Sequence, residues 1–84
     1  MVSKTKMKLM KTNGTTCMIC GEFQGVHIEH HHIKPRSFGG ANDYANGALL
    51  CSRCHTIVHK YEYGSCQYEL LTKLIKTNKK MERT

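Results

Sequence analysis

The sequence has no tryptophan, one proline, two phenylalanines and only six acidic residues in 84. Each shortage excludes something. So few large rings leave too little apolar volume for a core that stands unaided, and domains of this size lean on a disulfide, a metal or a partner. The scarcity of acid against 13 Lys and Arg gives a formal charge of +7. Such a balance favours a polyanionic partner, most simply nucleic acid, over a basic surface kept only for solubility. A long apolar run is also missing. The N-terminal "MVSKTKMKLMK" reads as neither signal peptide nor membrane anchor, so a cytoplasmic location, no membrane partner and reduced thiols are expected.

Cysteine is what the chain has in abundance. Four of the five fall in two matched pairs, Cys17-Met-Ile-Cys20 and Cys51-Ser-Arg-Cys54. In a reducing compartment, paired C-x-x-C knuckles indicate one tetrahedral structural Zn²⁺ rather than disulfides. That ion would hold residues near 17 to those near 54. Cys66 has no partner in the pattern and reads as a free thiol.

The spacing of apolar residues predicts a small α+β domain stapled by metal. Residues 1–14 form a basic arm, flexible or lightly docked, ahead of one domain over 15–84 with its core at 17–61. "GVHIEHHHI" (25–33) alternates and reads as a strand that Pro35 ends. Residues 36–46 carry loop chemistry, and "GALL" (47–50) reads as a second strand. A helix follows from Ser52, its candidate N-cap, to about Tyr61. Another covers about 65–77, with Tyr68, Leu71 and Ile75 on one stripe and Leu70 and Leu74 beside it. The tail, "KTNKKMERT", reads as frayed.

Directly after the second knuckle comes His55-Thr-Ile-Val-His59. On a helix, positions i and i+4 share a face one turn apart, so both imidazoles can bind one ion. A third ligand from "EHHH" (29–32) would leave coordination positions open, the layout of a catalytic rather than a closed site. A neighbouring histidine, titrating near ~6.5, would then be free to take a proton from water. Adjacent strand residues point opposite ways, however, so the backbone would have to bend for two of them to serve one phosphate. The residues alone leave open which histidine does which.

"EHHHIKP", then Asn46, then "LLCSRCHTIVH" resembles the signature of the HNH endonucleases with a ββα-metal, treble-clef-like core. The likeness runs from Cys17 to His59. Its all-histidine set looks most like the branch holding the colicin nuclease domains, and its cysteines look like the zinc-stapled members common in phages and restriction systems. The resemblance implies that His32, before Ile33, is the general base. It implies that His31, His55 and His59 hold a catalytic divalent ion (Mg²⁺, Mn²⁺, Ni²⁺ or Zn²⁺), and that Asn46 braces the loop. His27 and His30 match no functional position. Gly47 departs from the family, whose members often carry leucine there, and is expected to loosen the second strand. The implied reaction is hydrolysis of DNA to a 5′-phosphate and a 3′-hydroxyl.

The expected partner is DNA, mainly double-stranded, nicked with little sequence preference. Lys34, Arg36, Arg53 and Lys60 are the candidate phosphate contacts, extended by the N-terminal lysines and by Lys76, Lys79, Lys80 and Arg83. A monomer or weak homodimer is expected. The competing reading keeps the scaffold without the chemistry: a zinc-finger-like DNA-binding or phage packaging accessory module.

Overall fold

The computed structural model describes residues 3–81. Helix α1 (Lys4–Asn13) leads to the first cysteine knuckle; strand β1 (Glu29–His32) and strand β2 (Gly47–Leu50) follow, then helix α2 (Ser52–His59) and helix α3 (Cys66–Asn78). The strands pair antiparallel with His31 opposite Ala48 and His32 opposite Gly47. This is the small α+β architecture expected, with an additional C-terminal helix after the ββα unit. No helix among the described residues is long and apolar enough to cross a membrane.

The lysine-rich N-terminus is more ordered than its composition suggests. Ser3 caps α1 by accepting from the Lys6 amide, and Gly14, at φ 75°, ends it by donating to the Met10 carbonyl. Leu9 docks it, fully buried against β2, with Met10 partly buried against the same core. Polar ties hold the rest. Thr5 Oγ1 donates to the Asn42 carbonyl (3.0 Å), and Asn13 Nδ2 donates to Tyr44 Oη (3.0 Å). One fully buried residue with one partly buried neighbour gives too weak a periodicity to show in a lysine-rich sequence.

Three further boundaries differ from expectation. β1 starts only at Glu29, because Gly25 (φ 58°) opens a 3-10 turn at Gly25–His27 and leaves Val26 exposed. The N-cap of α2 is Cys51, whose sulfur accepts from the Cys54 amide (3.4 Å), and Ser52 is the first helical residue. In α3 the buried face is Tyr68, Thr72 and Ile75, while Leu70 (66% exposed) and Leu74 lie toward solvent. Positions i, i+4 and i+7 share that face, and Leu70 is turned away from it by about 200°.

The tail is not frayed through Lys80. Asn78 Nδ2 donates to the Met18 carbonyl (2.8 Å), and the Lys80 amide donates to Asn13 Oδ1 (2.7 Å). Lys79 Nζ donates to the carbonyls of Tyr44 and Gly47 and lies over the Tyr44 ring. Lys79 is therefore a clamp on the loop and not a spare surface cation. Arg83 lies outside the described residues.

Candidate functional site

The two knuckles meet at the junction of β2 and α2. Cys17, Cys20, Cys51 and Cys54 bring their sulfurs within 4.8 Å of one another. The Cys17 sulfur accepts from the amides of Ile19 and Cys20, and Cys51 accepts from Cys54. Burial opposes ionisation of Cys17, but backbone donors at Cys51, Cys20 and Ile19 outweigh it and bring the thiol down to about 7. Burial pushes Cys54 up. Protein groups alone thus favour part of this set as thiolate, and a dication among the four sulfurs would complete the ionisation. The donor set fits a structural metal.

The second cluster lies between β1 and α2. His31, His55 and His59 bring one ring nitrogen each within 4.8 Å of one another. The Nε2 atoms of His55 and His59 are 2.9 Å apart, a separation at which two nitrogens either share a hydrogen or face one cation. Behind them, His55 Nδ1 meets Glu29 Oε1 at 2.7 Å. A carboxylate there fixes the tautomer and turns the other nitrogen toward the cluster. His31 is almost fully buried, His55 partly so, and His59 is exposed, so the group opens to solvent on one side. Burial first, then the His55 and His59 rings, push His31 down to about 3; burial and His55 also lower His59. Neutral imidazoles are the form that binds a divalent ion, and the set fits one.

The other face of β1 carries different chemistry. The rings of His30 and His32 stack at 4.7 Å with 28° between planes. The Nε2 atom of each is buried without a hydrogen-bond partner. Alternation along the strand therefore sends His31 toward α2 and both neighbours toward the side where α1 packs, and β1 does not bend before His32. Beyond the strand, Asn46 ties the loop together. Its Oδ1 accepts from the Lys34 amide (2.7 Å), and its Nδ2 donates to the carbonyls of Lys34 and Ala41.

A sequence model described as HNH endonuclease matches residues 17–61, more than half of the chain. The chain belongs to the HNH endonuclease family. It is also 36% identical over 59 residues to a protein of Nostoc sp. (strain PCC 7120 / SAG 25.82 / UTEX 2576) named Anaredoxin. That alignment covers 70% of this chain and 76% of the relative. Membership places the protein among nucleases and nucleic-acid-binding domains.

Of the residues singled out from the HNH signature, the structure groups the four cysteines and, separately, His31, His55 and His59. It places His32 on the opposite face from His31, with its ring against His30. Lys34, Arg36 and Lys60 are exposed, while Arg53 pairs with Glu22 at 3.4 Å. Gly47 does not loosen β2. It is buried, and a Cβ there would stand 2.7 Å from Leu9 Cδ1 and 3.2 Å from His30 Nε2, so α1 and His30 already fill the slot.

The sequence reading did not single out Glu29, set His30 aside as matching no functional position, and placed Tyr68 on the α3 stripe without its tie to His31. Period two was the available signal for the first two: 29 shares a face with 31, and 30 with 32. Tyr68, whose hydroxyl donates to the Ile33 carbonyl (2.5 Å) and stands 3.4 Å from His31 Nε2, comes from 37 residues away. No local pattern announces it.

Proposed function

We propose that this protein is a metal-dependent endonuclease that hydrolyses DNA phosphodiester bonds with little sequence preference, leaving 5′-phosphate and 3′-hydroxyl ends. The observation that supports this best is the convergence of three imidazoles on one face of β1, with one further imidazole, His32, on the strand's other face, its Nε2 without a hydrogen-bond partner. His31, His55 and His59 would hold the divalent ion, and Glu29 would keep His55 turned toward it. When bound, the ion supplies positive charge where the phosphate becomes more anionic in the transition state.

The remaining work belongs to the chain. His32 has its Nε2 under cover, which leaves Nδ1 to take a proton from water as the water oxygen attacks phosphorus. The bond from phosphorus to the 3′-oxygen breaks, and that oxygen leaves with the bonding pair and takes a proton from solvent water to become the 3′-hydroxyl. Because His31 and His32 point to opposite faces of β1, the phosphate would lie across the end of the strand, where both faces can be reached at once. Asn46 holds the backbone of Lys34 and so fixes the chain just beyond the base. Lys34, Arg36 and Lys60 would hold neighbouring phosphates without reading sequence, so binding should fall steeply with salt. The zinc-binding cysteines act as scaffold only.

The test is cleavage of supercoiled plasmid by wild type and His32→Ala, after chelation at the histidine site and re-addition of Mg²⁺, Mn²⁺, Ni²⁺ or Zn²⁺. Metal-restored nicking by the wild type, lost in the variant, is expected. If neither protein cuts under any ion while both retard DNA in a gel, the domain binds without catalysing and the proposal is wrong.

A further inference from the structure

Two aromatic rings meet at the surface where nothing in the fold requires them. Phe38, in the 3-10 turn Arg36–Phe38, and Tyr63, in the loop between α2 and α3, stand 5.1 Å apart between centroids with 36° between planes. Phe38 is 60% exposed and Tyr63 38%. Single exposed apolar residues such as Val26 or Phe23 are ordinary on a protein surface and call for no explanation. A pair of rings brought together from separate loops, yet left open to water, is a different matter.

Its position gives it meaning. Tyr63 sets its edge against buried Tyr68 (5.4 Å, 82°), and the Tyr68 ring lies 6.2 Å from that of His31. One buried ring thus links the surface pair to the histidine cluster, and the Tyr68 hydroxyl anchors that ring to the Ile33 carbonyl. The same two loops carry exposed Lys34, Arg36 and Lys60, with Asp43 and Glu62 as the acidic residues among them. Open π-faces beside backbone-binding cations make the arrangement that holds an unpaired nucleic-acid strand: the cations take phosphates and the rings stack on bases. A paired base inside a duplex offers no free face to such a platform.

We infer that Phe38 and Tyr63 form a stacking platform for an unpaired base of the DNA strand that enters the histidine site. This rests on the nuclease reading for the identity of the strand, and it narrows the substrate to DNA with a single-stranded, frayed or mismatched position near the cut.

The chain has no tryptophan, so Phe38→Trp introduces a lone fluorescent reporter. With no divalent ion added, Phe38→Trp is titrated with a single-stranded oligothymidylate and with a blunt duplex of equal length. Saturable quenching by the single strand, at lower concentration than by the duplex, is expected. Phe38→Leu keeps an apolar contact with Tyr63 but has no π-face. It should bind the single strand about fivefold or more weakly, keep its affinity for duplex, and be rescued by Phe38→Tyr. Unquenched fluorescence, or equal single-strand binding by Phe38→Leu and wild type, overturns the platform. So does self-association of wild type that Phe38→Leu abolishes, which would assign the face to a second copy. Wild type that cuts no DNA sinks the nuclease reading and leaves this binding result standing.

Discussion

The cysteine and histidine clusters share a helix and differ in nearly every other respect. α2 contributes Cys54 to one and, a residue later, His55 to the other, about 100° around its axis. The cysteine cluster draws on both ends of a long loop, keeps three of its four residues buried and collects backbone amides on its sulfurs. The histidine cluster opens to solvent at His59, and has a carboxylate behind one ring and a hydroxyl beside another. Four charged ligands close a site and put its binding free energy into the fold; three neutral ones leave the ion's charge and coordination positions for a substrate. One short helix can therefore divide stability from chemistry.

The strongest challenge to that division is a ligand swap in outcome. Cys51→Ala removes both a sulfur ligand and the cap of α2, and is expected to abolish cooperative unfolding by circular dichroism and to release zinc. His59→Ala, at an exposed position, should keep the melting transition while losing about 10²-fold or more of the metal-dependent cleavage. Unfolding of both variants alike would dissolve the distinction.

Glu29→Gln sharpens it on the histidine side. Loss of the carboxylate behind His55 should weaken metal binding by about 10–100-fold in calorimetry with the fold intact. Gly47→Leu examines the face of β1 turned toward α1. The new side chain must displace Leu9 and His30, costing about 1–3 kcal/mol in urea unfolding.

The smallest effect is in pH dependence. Burial, with His32 next, pushes His30 down to about 4 from its ordinary 6.5. Between those values the unfolded chain binds a proton that the folded chain refuses, so this contribution to stability is complete above about 6.5 and is lost as pH falls toward 4. His30→Phe should make the fall in urea midpoint over that window shallower than in the wild type. Parallel curves would mean that the His30 ring titrates normally.

The sequence made one kind of information plain and hid another. Metal ligands announce themselves because their spacing is set by local geometry: a knuckle needs C-x-x-C, and a helix face needs i and i+4. β2 and the start of α3 at Ser65 were legible for a similar reason, since strand composition and capping are local. What stayed hidden were contacts decided across the fold. Leu9 docks a lysine-rich helix because Gly47 leaves room, and Tyr68 reaches His31 from the last helix. Leu70 and Leu74 were expected beside the apolar stripe of α3, but both lie toward solvent and Thr72 takes a buried position. A hydroxyl can take a core position there because Thr72 Oγ1 donates to the Tyr68 carbonyl one turn back.

Among the four clustered cysteines, Cys20 alone is exposed. A staple is only as durable as its most accessible link, and here that link faces the solvent. Of the four, this is the sulfur a reagent reaches from the surface, and losing it would untie the segment from Gly21 to Leu50 that carries both strands. The durability of the cysteine cluster is therefore weakest at Cys20, away from the histidine cluster.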